Sequence, residues 1–110
     1  DWSFPYEYKY GYEGGQGLLN KRFEINDKQH HELRELRINL KKCFNTLNCY
    51  LMPHPGLRVC TSPEFDGKLR DIEADFKMYV KKFVEAQFNP NLIVKQINGR
   101  EITTLELFEY

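Results

Sequence analysis

The chain has 110 residues, with 16 Lys and Arg against 16 Asp and Glu, so its formal net charge is zero. That length allows one domain and hardly two, and 41% hydrophobic with 29% charged residues argue against a disordered chain. Zero net charge removes the long-range field of a nucleic-acid binder, and no apolar run approaches the ~20 residues of a membrane-spanning helix.

Eight Phe, seven Tyr and one Trp supply ample core material, and a chain of this size buries about two-thirds of its unfolded surface. No secretory signal pattern is present, and the chain does not begin with Met. The expectation is a processed product or an excised segment. Cys43, Cys49 and Cys60 are odd in number and lack Cys-x-x-Cys pairing, which predicts reduced thiols rather than a disulfide framework or a zinc site. His30 and His31 are neighbours. On a helix they point about 100° apart and chelate poorly, so solvated or capping roles are expected.

In the first 17 residues Tyr6, Tyr8, Tyr10 and Tyr12 alternate as in a strand, but Gly11, Gly14, Gly15 and Gly17 favour a turn-rich loop. Stacking on RNA bases would call for cations, and Lys9 is the only one here. A packed loop and no nucleic-acid partner are expected. A short helix is predicted over residues 18–23. Asn26 and Gln29 then have capping-box spacing, followed by Leu33, Leu36, Leu40, Phe44 and Leu47 on one helical face. Arg34, Glu35, Arg37, Lys41 and Lys42 fall on the other faces and predict a solvated side.

Cys49-Tyr50-Leu51-Met52 reads as a short buried strand, stopped by the rigid loop Pro53-His54-Pro55-Gly56. Rigid loops at strand ends in α/β folds are where ligands bind. Thr61-Ser62-Pro63-Glu64 carries helix-start chemistry. Leu69, Ile72, Phe76, Tyr79, Val80 and Phe83 predict a second long amphipathic helix, with Glu73 and Lys77 as an i,i+4 pair. Asn89-Pro90-Asn91 ends it. Residues 92–97, Asn98-Gly99 and residues 100–102 predict a hairpin with a type I′ turn. Thr103 and Glu106 form a capping box for a last helix. The order is α/β in character but short of strands, and the helices would have little to pack on if the piece stood alone.

Two segments are specific. Asp1-Trp2-Ser3-Phe4-Pro5-Tyr6-Glu7, followed by Gly14-Gly15, resembles the region after the Arg-Asp motif of the atlastins. Leu51-Met52-Pro53-His54-Pro55-Gly56-Leu57-Arg58-Val59, followed by Phe65-Asp66-Gly67-Lys68-Leu69, resembles their guanine-cap region, and Gln29-His30 with Glu32-Leu33 extends the likeness between them. The resemblance is to the atlastin branch of the dynamin superfamily, kin to the guanylate-binding proteins. It implies that residues 1–110 are the C-terminal portion of a P-loop NTPase-type G domain of α/β class, with few strands, several amphipathic helices and one β-hairpin. It implies GTP or GDP as ligand, Mg2+ in the parent protein with no ligands in this chain, and a nucleotide-dependent homodimer in the parent. It also implies tethering and fusion of endoplasmic-reticulum membranes from the cytosolic face, with the membrane reached only through segments outside this chain.

The resemblance also marks what this chain lacks. Gly-x4-Gly-Lys-Ser/Thr does not occur, since Gly67-Lys68 is followed by Leu69. The parent resembles a GTP hydrolase, but this chain carries no catalytic residue and is expected not to hydrolyse GTP alone. Its nucleotide-binding candidates are Asp1, Val59 and Ser62. Guanine presents N1–H and the N2 amino group on one edge, and a carboxylate accepts both at once. Adenine has no such pair, so two charge-assisted bonds at about 1.5–3 kcal/mol each would discriminate GTP from ATP. Asp1 stands where the family places that aspartate, at the end of its Arg-Asp pair. Val59 matches the cap valine that lies against the ring. Ser62 stands where human-like atlastins have asparagine, and helix capping is an equal alternative for it. Pro53, His54, Pro55, Gly56, Leu57 and Arg58 make up the cap loop. His54 belongs to the base end of the nucleotide, too far from the γ-phosphate for a catalytic base. The competing readings are a non-hydrolysing interaction module on the two amphipathic helices and a degenerate paralogue of the GTPase.

Overall fold

The computed structural model describes residues 1–89 and 94–110. The first ten residues are turns held by their own rings. Trp2 meets Phe4 and Tyr8 edge-on at 5.6 and 6.1 Å between centroids, and its indole N–H donates to the Tyr8 carbonyl at 2.8 Å. Helix α1 spans Tyr12–Arg22 and so begins well before residue 18, inside the segment expected to be a loop. The physical reason is close approach. A Cβ on Gly14 would overlap the Lys9 carbonyl, and one on Gly15 would overlap the Cys49 carbonyl. These glycines let a helix lie against backbone rather than break it. Gly11 precedes α1 with φ +91° and exchanges two bonds with Leu51, at 2.8 Å from its own N–H and 3.2 Å to its carbonyl.

Helix α2 covers His31–Cys43. Asn26 and Gln29 do interact, but they close an isolated turn: the Asn26 side chain accepts from Lys28 N–H at 3.0 Å and Gln29 Oε1 from Asn26 N–H at 3.4 Å. The expected stripe therefore loses its last members. Phe44 is extended (φ −129°, ψ 123°), and Leu47 lies beyond it in the stretch leading to Leu51. Arg37 Nε donates to the last carbonyl of α1, Arg22 O, at 2.6 Å, a cation closing a helix C-terminus. The strand expected over residues 49–52 is an extended segment with one bridge, Gly11 to Leu51. Leu51 is nonetheless buried, which stabilises by about 1.5–3 kcal/mol.

After the loop of residues 53–56, helix α3 spans Leu57–Thr61, a 3-10 turn spans Leu69–Asp71, and helix α4 spans Ala74–Gln87. The helix expected to start at Ser62-Pro63 does not form there, because α3 ends there. Pro63 disfavours helical geometry at the residue before it, and Ser62 is extended (φ −84°, ψ 120°). Leu69 and Ile72 consequently lie outside α4. The expected Glu73–Lys77 pair is absent among the described contacts, because Lys77 Nζ donates to the Leu69 carbonyl at 2.9 Å instead.

Strands β1, Gln96–Ile97, and β2, Arg100–Glu101, pair antiparallel with Gln96 opposite Glu101. Asn98 and Gly99 turn between them at φ 52° and 76°, as the Asn-Gly signal requires. Of the first strand expected over residues 92–97, residues 92 and 93 lie outside the described ones. Helix α5, Thr104–Glu109, opens on the expected capping box, with Glu106 N–H donating to Thr103 Oγ1 and Thr103 N–H to Glu106 Oε2 at 2.7 Å. The result, among the described residues, is mixed helical structure with one two-stranded antiparallel hairpin.

Aromatic rings join α1, residue 50 and α4. Tyr12 packs on Tyr50 at 4.7 Å and Tyr50 on Phe83 at 5.1 Å, while Tyr50 Oη donates to the Tyr79 carbonyl. Among the described residues the buried apolar side chains are Leu51, Ile102 and Pro53. The accessible surface is 9226 Å², against about 6,400 Å² for a compact monomer of this mass. The apolar faces of the helices are therefore largely uncovered.

Candidate nucleotide-base site

Two backbone bonds organise the end of the molecule that carries the expected site. Trp2 N–H donates to the Met52 carbonyl at 2.8 Å, so Asp1, itself exposed, lies one residue from that bond and beside the step into Pro53. Glu73 N–H donates to the Pro55 carbonyl at 2.9 Å, so the loop is tied to the start of α4. Between these ties Pro53 and Gly56 are buried, and Gly56 takes φ +114° to enter α3. Glycine suits that conformation, and the Glu73 side chain leaves a Cβ there no room.

His54 stabilises the same turn. Its Nδ1 accepts from Gly56 N–H at 3.0 Å, and its Nε2 lies 3.5 Å from Cys60 Sγ. A backbone N–H can only donate, so the neutral ring keeps its proton on Nε2. Leu57, Arg58 and Val59 follow on α3. Leu57 and Arg58 are exposed and Val59 is half-buried. Ser62 closes α3 by donating its N–H to the Arg58 carbonyl at 3.2 Å, and its hydroxyl accepts from Glu64 N–H at 3.3 Å. It is a turn residue at a helix end, not the N-cap of a following helix. The Trp2–Met52 bond thus ties the segment that begins at Asp1 to the start of the loop of residues 53–56, which leads into α3 and Val59, and the Ser62 hydroxyl is engaged in its own turn.

Sequence reasoning did not single out Asp71. Its carboxylate, only 8% exposed, pairs with Arg58 Nη1 at 3.2 Å and lies 3.8 Å from Arg70 Nε. Read as one position in a long helix, Asp71 gave no signal of this. Nearby, the Lys68 ammonium holds the Asp66 carboxyl below its ordinary pKa, with a smaller contribution from the Arg58 charge. Among the described residues no three His, Cys, Asp or Glu cluster to hold a metal ion.

A hollow of about 720 Å³ lies elsewhere, between α1 and the end of α2, lined by Leu19, Phe23, Ile25, Phe44 and Leu47 among others. Its walls mix these apolar side chains with Gln16, Asn20, Glu24, Lys41 and Asn45, and it carries none of the expected site residues.

Comparison with known proteins defines the class. The family described as guanylate-binding protein, N-terminal domain, matches residues 1–96, and the chain belongs to that family. Within it the sequence is atlastin-like and falls in the dynamin superfamily. It is 47% identical over 111 aligned positions to Atlastin-3 of Homo sapiens, covering all of this chain and 20% of that protein. The identity to Atlastin of Drosophila melanogaster is also 47%, again over the whole chain and 20% of the relative, and to Atlastin-2 of Xenopus laevis it is 44% with the same coverage. The chain spans about a fifth of the length of these curated relatives.

Proposed function

We propose that this chain is the guanine-recognition part of a GTP-binding, GTP-hydrolysing dynamin-like protein that tethers and fuses endoplasmic-reticulum membranes. Asp1 accepts N1–H and the N2 amino group of guanine, Val59 lies against the ring, and residues 53–58 form the cap that carries Val59. Ser62 has the weaker claim, since its hydroxyl already serves a turn. The observation that supports this most is the bond from Trp2 N–H to the Met52 carbonyl, which joins the segment carrying Asp1 to the loop that leads to Val59. The chemistry of the acceptor fits the base: two carboxylate oxygens facing two adjacent donors.

Mg2+ belongs with the phosphates of the nucleotide in the complete protein, and no step is routed through it here. GTP hydrolysis, nucleotide-dependent pairing of two copies and the cytosolic face of the endoplasmic reticulum belong to the complete protein. They rest on kinship with the atlastins. Among the described residues no helix is long and apolar enough to cross a membrane.

The test is Asp1→Asn in the complete protein. The amide replaces one acceptor with a donor, which opposes guanine N2 but suits the carbonyl of xanthine. GTP affinity should fall about ten- to hundredfold, the equivalent of one charged hydrogen bond, while XTP binds relatively better. Titration calorimetry giving unchanged affinities for both nucleotides removes Asp1 as the base reader.

A further inference from the structure

The cap helix α3 has only five residues, too few to hold itself in water. Two contacts fasten it and its loop to one short stretch of chain. The Pro55 carbonyl accepts from Glu73 N–H, and the Arg58 guanidinium pairs with the Asp71 carboxylate at 3.2 Å. The two contacts differ in kind. The first is backbone and holds the loop whatever the side chains are. The second is a side-chain clasp, and it reaches α3 itself, one residue before Val59. Asp71 is almost fully covered, whereas Arg58 remains 65% exposed. A covered carboxylate left without its cation is costly, so the pair is kept closed from the Asp71 side. Arg70, at 3.8 Å, stands farther off and on the same short turn as Asp71, so it cannot tether α3.

We infer that Asp71 is a positioning residue for guanine recognition: through Arg58 it sets the position of α3 and hence of Val59 against the base. This rests on the base-recognition reading above. Arg58 is accordingly committed within the chain. Reversing its charge as Arg58→Glu sets a second carboxylate against Asp71 and weakens base binding.

The test measures dissociation of fluorescently labelled GDP from the complete protein, with Arg58→Ala, Asp71→Asn, the double variant and Asp71→Glu, alongside Asp1→Asn. Arg58→Ala removes a side chain that is 65% exposed and leaves Arg70 3.8 Å from the Asp71 carboxylate, so it disturbs folding less than Asp71→Asn. Each of Arg58→Ala and Asp71→Asn should speed GDP release about tenfold, and the double variant no more than either alone, as for two residues acting as one contact. Asp71→Glu should recover part of the loss. In steady-state hydrolysis KM should rise with kcat unchanged, a split that partial unfolding does not give. Release from Arg58→Ala at the wild-type rate, or multiplying effects in the double variant, overturns the clasp. If Asp1→Asn shifts the GTP-to-XTP preference while Arg58→Ala changes nothing, the clasp fails and base recognition stands. If Asp1→Asn leaves that preference unchanged, base recognition fails and the clasp's role in it falls too.

Discussion

At the junction of α1 with residues 9 and 49–51, backbone meets backbone. Gly14 lies on the Lys9 carbonyl, Gly15 on the Cys49 carbonyl, and Gly11 exchanges two hydrogen bonds with Leu51. Helix α2 presents the opposite case. It has the clearer amphipathic pattern, yet Leu33 and Leu36 are 51% and 55% exposed and no residue of α2 is buried. The pattern of a helix records which face should be covered, and covering it takes another surface. Three small residues at the junction achieve closure that a row of leucines on α2 does not. Definition in this chain comes from close approach, and the apolar stripe is surface left for something else to bury.

The largest effect expected from that contrast is at Gly15. Gly15→Ala drives a Cβ into the Cys49 carbonyl, and neither backbone can yield without parting α1 from residues 49–51. A cost of about 3 kcal/mol or more is expected, at the upper end for overpacking. Gly67→Ala is the control. Gly67 has φ +82° with nothing within 4 Å of the added atom, so only left-handed strain of about 1–2 kcal/mol applies. Urea denaturation of both variants decides it: equal losses would mean that the junction is no tighter than an open turn.

A smaller effect is expected on α2. Leu36→Glu in the 110-residue chain should change stability by no more than about 0.5 kcal/mol, as for an exposed position. It should also reduce binding of an apolar dye and self-association, since an uncovered stripe attracts both. In the complete protein the same change should cost about 2 kcal/mol or more if that face is buried there. Equal costs in the two settings would show that α2 keeps its exposed face in the complete protein as well.

What the sequence made legible divides along the same line. The Asn98-Gly99 turn and the Thr103–Glu106 box involve neighbours in sequence, and both occur as read. The start of α1 was hidden because its glycines answer to Lys9 and Cys49, the latter more than thirty residues away, and nothing local distinguishes a close approach from a turn. The amphipathic spacing from Leu69 to Phe83 ran straight through a break at Ile72–Glu73, where the Pro55 carbonyl fixes the N–H of Glu73 and α4 begins only after it. Within the candidate site, the loop prolines and Gly56 were legible as rigid backbone. Asp71 was not, because its partner Arg58 lies across an intervening turn.

The smallest expected effect concerns the part that is local. Bonds from the Thr103 backbone and hydroxyl, and then from Arg100, hold the Glu106 carboxyl below its ordinary pKa. The folded carboxyl thus binds its proton less readily than the unfolded one. The stabilisation is present above the unfolded pKa of about 4.3 and is lost as pH falls through the lower folded value. Acidification through that window should loosen the first turn of α5, read as a carbon-detected titration of Glu106 by NMR. Thr103→Ala should move the Glu106 midpoint back up toward the ordinary carboxyl range and cost about 1 kcal/mol of cap stability. Added salt should raise the midpoint slightly by screening Arg100. Gly15→Ala, which opens the distant junction, should leave the titration where it is. A Glu106 midpoint that moves with Gly15→Ala would mean that α5 depends on the α1 junction, and the division between local and long-range determination would not hold in this chain.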